Sequence, residues 1–84
     1  MRYKILYTKT ALDDIRKLDA VAKTRIKKKL ELLVLHPLMH ARKLIKPSIG
    51  SYRWRIGNYR VVFDIHGKNI VILRIGHRRE IYKK

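Results

Sequence analysis

Residues 51–82 read SYRWRIGNYRVVFDIHGKNIVILRIGHRREIY, and their alternation decides the fold. Tyr52, Trp54 and Ile56 take every second position with Arg53 and Arg55 between them, the two-residue period of a strand whose faces differ. Trp54, out of phase with the arginines, belongs to the core. Gly57-Asn58 follows as a two-residue hairpin turn, the glycine supplying the positive φ that such turns demand. Tyr59, Val61, Phe63 and Ile65 then alternate with Arg60, Val62 and Asp64, so Arg60 falls on the face of Arg53 and Arg55. A second turn at His66-Gly67-Lys68 leads into the nearly continuous apolar run 69–75, suited to a strand covered on both sides, and Gly76 ends it. His77-Arg78-Arg79-Glu80-Ile81-Tyr82 closes the segment, with Ile81 as its anchor and with Arg78 and Tyr82 in reach of the cationic face. The expected unit is a three-strand meander, greasy on one side and strongly basic on the other.

Upstream, the chain offers what the greasy side needs. Tyr3, Ile5 and Tyr7 alternate with Lys4 and Leu6, the period of a half-buried opening strand. Thr10 stands three residues before Asp13, an N-cap with a carboxylate in the first turn, and Leu12, Ile15 and Leu18 follow at helical spacing, predicting a helix over 10–18. Asp19 caps a second helix in which Ala22, Ile26, Leu30, Leu33 and Val34 form one stripe, and Pro37 stops it. Lys27-Lys28-Lys29 reads as a solvated face of that helix. The two helices make a hairpin whose apolar stripe covers the sheet. The stretch 36–50, HPLMHARKLIKPSIG, is a connector with both prolines and a short strand near Lys43 to Ile45. His36 and His40 have a spacing that holds a metal on a helix, but Pro37 breaks that helix and no cysteine or carboxylate completes a site, so no metal and no cofactor is expected.

Composition bounds the function. A chain of 84 residues is one domain, 1–84, with one modest core, since so short a chain buries only roughly 60–65% of its unfolded surface. Apolar residues make up 46% with only 4 glycines and 2 prolines, which is enough to fold around and argues against disorder. There is no cysteine, which excludes disulfides and thiolate metal sites and favours a reducing compartment. The opening MRYKILY lacks the unbroken apolar core of a signal peptide, and no apolar run approaches the roughly 20 residues of a membrane span, so a cytoplasmic protein is expected. Twenty-two Lys and Arg against 6 Asp and Glu leave a formal net charge of +16. A field of that size concentrates polyanions, with nucleic acid the leading class and an acidic protein or an anionic membrane surface satisfying the same electrostatics.

The blocks YRWRIGNYRVVF and VILRIGHRREIY resemble the RelE/ParE superfamily of bacterial and archaeal toxins, and the opening strand, helical hairpin, meander and C-terminal HRREIY come in that family's order. The resemblance implies a small α+β domain, an antiparallel sheet packed against an N-terminal helical hairpin. It also implies an acidic, partly disordered antitoxin that wraps around the toxin. In the RelE branch it implies an endoribonuclease that cuts mRNA on the ribosome; in the ParE branch, inhibition of DNA gyrase; a third outcome is an inactive basic module held by its antitoxin. On the RelE pattern Arg53 and Arg55 stand where the family has lysines, Arg60 matches the arginine after the hairpin, Arg78 the C-terminal arginine and Tyr82 the terminal tyrosine.

Those types suit 2′-OH attack on the neighbouring phosphate, whose developing charge guanidinium groups answer with paired hydrogen bonds. Arg60 is the expected clamp and Arg78 the group at the leaving 5′-oxygen. Arginine stays protonated, so the proton transfers fall to Tyr82 or to His77, whose ordinary pKa of about 6.5 suits acid–base work. Arg74 and Arg79 serve either as phosphate contacts or as salt partners of a carboxylate such as Glu80.

Overall fold

In the computed structural model, which describes residues 3–43 and 51–81, the chain runs β1 (Lys4–Tyr7), α1 (Lys9–Arg16), α2 (Ala20–Leu33), β2 (Arg42–Lys43), β3 (Tyr52–Ile56), β4 (Tyr59–His66) and β5 (Asn69–His77). One sheet holds all five strands in the order β1-β5-β4-β3-β2. The meander is antiparallel as expected, but β1 pairs with β5 in parallel, Lys4 opposite Asn69 through Tyr7 opposite Ile72, so the sheet is mixed. The direction follows from the connection. The chain leaves β1 directly into the two helices, so β1 joins an edge without a hairpin of its own.

Both helices lie against one face of the sheet. The core joins Ala11 of α1 and Ile26, Leu30 and Leu33 of α2 to Trp54, Ile56, Val61, Phe63, Ile70, Ile72 and Ile75. The stripe of α2 and the alternation of β3 and β4 assign their members to this interior; α1 instead buries Ala11 and leaves the expected Leu12 exposed, and a register shift at Val62/Phe63 lets Ile72 and Ile75 both serve the core. Trp54 stacks on Phe63 with ring centroids 3.9 Å apart, and its indole N–H donates to the Pro37 carbonyl at 2.9 Å, tying the end of the helical layer to β3. Pro37 thus anchors the chain that follows α2 as well as keeping the helix from continuing.

Both hairpins are two-residue turns led by glycine, Gly57 at φ 57° and Gly67 at φ 61°, with no positive φ at any described non-glycine residue. A positive φ at the first turn position alone is the type II′ arrangement, which matches the twist of the flanking strands. The helix boundaries differ in detail from expectation. Thr8, not Thr10, caps α1, accepting the Ala11 N–H at 3.1 Å while its hydroxyl donates to the Leu73 carbonyl at 3.1 Å. Thr8 wins because it also continues β1, its own N–H donating to Ile72 O at 3.0 Å. Asp19 caps α2 as expected, accepting from Ala22 N at 2.7 Å. The expected strand near Lys43 to Ile45 is present as β2 at Arg42–Lys43; Leu44 and Ile45 lie outside the described residues.

Candidate nucleic-acid interface

The register of β3 on β4 puts Arg53 opposite Val62, Trp54 opposite Val61 and Arg55 opposite Arg60. Because Trp54 and Val61 face the helices with none of their surface exposed, Arg53, Arg55 and Arg60 share the other face. Arg55 is exposed and Arg53 half-buried. Like charges facing one another across a ladder repel. Here they diverge, since Arg60 turns its Nη1 to the carbonyls of Gly57 and Tyr59, both at 3.0 Å.

Arg60 is on the expected face but is only 7% exposed, which differs from an open clamp. The cause is the segment after β5. Its first residue, Arg78, donates its backbone N–H to Asn58 O at 2.8 Å, and Glu80 and Ile81 donate theirs to His77 O at 2.8 and 3.0 Å. This single turn brings Ile81, 2% exposed, over Gly76, the residue opposite Arg60 in the ladder; a Cβ built on Gly76 would stand 3.4 Å from Ile81 Cδ1. Val62, fully buried on this same face, marks how far it is covered. Arg60 therefore stitches the β3–β4 hairpin together beneath a cover. Arg55, Arg78 and Arg79 are exposed at this end of the sheet.

His77 ends β5 opposite Tyr59, and its ring meets the Tyr59 ring edge-on with centroids 6.0 Å apart. By alternation it is out of phase with Gly76 and Arg60, so the structure does not bring it into the arginine row. Its Nδ1 accepts the Arg79 N–H at 3.2 Å, which leaves Nε2 as the proton-bearing nitrogen of the neutral ring. Adjacency to Arg78 in sequence suggested otherwise, but one step along a strand reverses the face. Tyr82 lies outside the described residues.

Arg74 takes the second of its two expected roles, that of a salt partner. Its Nε and Nη2 donate to Asp14 of α1 at 2.8 and 3.3 Å, and these hydrogen bonds to the carboxylate hold the guanidinium above its ordinary pKa. The salt partner is thus Asp14 and not Glu80. Asp14, 8% exposed, also accepts the Ile75 N–H at 3.0 Å, so it serves the strand edge and the arginine together. Sequence reasoning missed it because a helix carboxylate next to Asp13 carries no mark of a partner 60 residues away. It missed Arg25 too, a residue of α2 whose Nη1 lies 3.6 Å from a Cβ built on Gly57, at the hairpin that carries Arg55. Among the described residues no group of three or more His, Cys, Asp or Glu is placed to hold a metal, and no helix is long and apolar enough to cross a membrane.

The site can therefore offer fixed positive charge to an anionic partner. The family model for the ParE toxin of type II toxin–antitoxin systems matches residues 5–82. Toxin RelE3 of Methanocaldococcus jannaschii is 34% identical over 83 residues, covering 94% of each chain. Toxin RelG of Mycobacterium tuberculosis is 30% identical over 87 residues, covering all of both. Among solved structures, the toxin–antitoxin complex RelBE2 of M. tuberculosis contains a chain that superposes with a TM-score of 0.83 at 28% identity, over 93% of this chain and 100% of that one. Two helices on a five-strand sheet, a hairpin of arginines and these matches converge: the chain belongs to the ParE toxin family, within the RelE/ParE superfamily, and is a RelE-like toxin of a type II toxin–antitoxin system.

Proposed function

We propose that this toxin is an endoribonuclease that cuts mRNA on the ribosome, and that an acidic, partly disordered antitoxin holds it in check. The observation that carries the reading is the arginine set around one hairpin: Arg53 and Arg55 on the face away from the helices, and Arg78 tethered through its backbone to Asn58. In the reaction the ribose 2′-oxygen forms a bond to the adjacent phosphorus, the bond from phosphorus to the 5′-oxygen breaks, and protons leave the first oxygen and reach the second. Arg53 and Arg55 orient the phosphate chain, and Arg78 neutralises charge on the phosphorane oxygens or the leaving oxygen. Arg60 keeps the hairpin in shape from below and meets phosphate itself only when the cover of Ile81 lifts. Guanidinium groups cannot take the proton. Of the titratable candidates, Tyr82 comes from the family resemblance and His77 from the sequence, and His77 would have to act from outside the arginine row; Arg79 is a further phosphate contact. Arg74, held by Asp14, acts on the fold and only distantly on RNA.

The RelE-type names of the similar proteins favour RNA as the target, while the ParE name of the family model keeps gyrase inhibition as the second reading. Primer extension on message in a translating extract separates them. Arg55→Ala and Arg78→Ala are better probes than Arg60→Ala, because both side chains are exposed and their loss spares the hairpin. Codon-phased cuts by the wild type that fall at least tenfold in either variant support the nuclease. Intact message together with inhibited supercoiling supports the gyrase reading instead.

A further inference from the structure

The turn over residues 78–81 has one backbone N–H per residue, and all but the first end on His77. Glu80 and Ile81 donate to His77 O at 2.8 and 3.0 Å, and Arg79 donates to His77 Nδ1 at 3.2 Å. The first, from Arg78, reaches Asn58 O at 2.8 Å. A side chain that accepts from the second residue of a turn, above a carbonyl that accepts from the third and fourth, is the arrangement of a helix N-cap. His77 thus caps the turn with an imidazole nitrogen where a serine or asparagine oxygen usually stands.

The ring is placed for capping and not for acid–base work on RNA. It lies out of phase with Gly76 and Arg60, half-buried, with Tyr59 edge-on to it at 6.0 Å between centroids. A neutral imidazole has one accepting nitrogen, and here the Arg79 N–H occupies it, so none is left to take a proton from a ribose hydroxyl. What His77 governs is the residue beside it. Arg78 is held on one side by Asn58 and on the other by the capped turn, which also carries Ile81 onto Gly76.

We propose that His77 is a positioning residue, whose Nδ1 fixes the turn that aims Arg78 at the RNA phosphates, and that it takes no part in the proton transfers. The proposal rests on the reading of the chain as an RNA-cutting toxin and adds what keeps Arg78 in line with the hairpin.

Asparagine and glutamine separate the two roles. The Asn side-chain oxygen can take the place of Nδ1 and accept from the residue two positions on, as in an Asx turn, whereas Gln reaches the place of Nε2 and leaves the Arg79 N–H without its acceptor. Neither amide can shuttle a proton. In the full chain, well below each melting temperature, His77→Gln should speed amide exchange at Arg79, Glu80 and Ile81 about fivefold, the population ratio of one lost cap. It should also weaken a labelled oligouridylate severalfold and flatten its salt dependence toward that of Arg78→Ala, although a neutral side chain has replaced a neutral one. Added to Arg78→Ala, it should change RNA binding no further. His77→Asn should recover most of both losses. In the wild type, the imidazole nitrogen spectrum should show the Nε2–H tautomer; an Nδ1–H tautomer would overturn the proposal without any variant. So would His77→Asn binding no better than His77→Gln, losses of His77→Gln and Arg78→Ala that add in full, or message cleavage abolished in both His77 variants while oligouridylate binding stays intact. Message cleavage by the wild type is read separately. Variants that order as expected in exchange and binding, with a wild type that leaves message whole, sink the nuclease alone; codon-phased cutting with RNA affinity unaltered by His77→Gln sinks the positioning alone.

Discussion

Beyond Ile72, where β1 has ended, the edge of β5 has lost its strand partner, and side chains from the start of α1 take over. The Thr8 hydroxyl donates to Leu73 O and Asp14 accepts from Ile75 N. Asp14→Ala would leave a buried N–H and the Arg74 guanidinium without their acceptor. Hydrogen bonds to a charged group and an unsatisfied buried donor put the cost at about 2–3 kcal/mol, and calorimetry should find the melting temperature roughly 10–20 °C lower. Asp14→Asn keeps an acceptor for Ile75 and should lose about half as much. A smaller effect attends Tyr7, whose phenol burial pushes above its ordinary 10.0. A folded-state value above the unfolded one means that the folded form holds its proton more tightly. The associated stability is complete below about pH 10 and lost as pH rises through the folded value. Thermal melts in strongly alkaline buffer should therefore decline more steeply for the wild type than for Tyr7→Phe. Asp14 did not announce its role in the sequence, because that role depends on contacts with a strand some 60 positions away. Arg60 is the mixed case: alternation assigned its face, whereas its burial follows from the later fold-back of Ile81.

At the scale of elements, the period-two and period-3.6 patterns carried nearly all of the information. The stripe Ala22, Ile26, Leu30 and Leu33 is buried, the alternation across β3 and β4 sorts Trp54 from Arg55, and both glycine-led turns fall where the pattern breaks. What local pattern could not reveal was the direction of β1, since an edge strand has the same alternation parallel or antiparallel. It also misplaced the cap of α1 at Thr10, because the bonds that decide for Thr8 reach Ile72 and Leu73. The β3–β4 hairpin joins fold and function most directly. Gly57 holds φ at 57°, a region that costs an L-residue roughly 1–2 kcal/mol, although space exists there for a methyl group. Gly57→Ala should therefore lower stability by about that amount through backbone strain alone. Relaxation of the strain would move the Gly57 carbonyl away from Arg60 Nη1 and turn Arg55 out of line with Arg78. Denaturant unfolding should report the first effect, and RNA binding by fluorescence anisotropy, weakened severalfold below the melting temperature, the second.

Over the whole molecule, 22 basic residues face 6 acidic ones, and half of the acids are committed to structure. Asp14 neutralises Arg74, Asp19 caps α2, and Asp64 accepts the Ser51 N–H at 2.6 Å at the entrance to β3. The unbalanced charge thus sits on the surface, and it should steer any polyanion toward the protein before contacts sort one from another. Affinity for single-stranded RNA should then fall linearly on a logarithmic salt scale, by about 0.7 for each phosphate whose counterions are released. The slope counts contacts and ignores general attraction, so it can tell which arginines touch the chain. If RNA lies along Arg53, Arg55 and Arg78, Arg55→Ala and Arg78→Ala should each flatten the slope by about 0.7, and the pair by about 1.4. Arg74→Ala removes the same formal charge from a guanidinium already matched by Asp14, and should leave the slope where it was. Anisotropy titrations of one labelled oligonucleotide over a range of potassium chloride, well below the melting temperature of every variant, make the comparison. A slope that drops as much for Arg74→Ala as for Arg55→Ala would mean that RNA follows total charge and not the hairpin, and the arginine row would lose its claim to be the binding face.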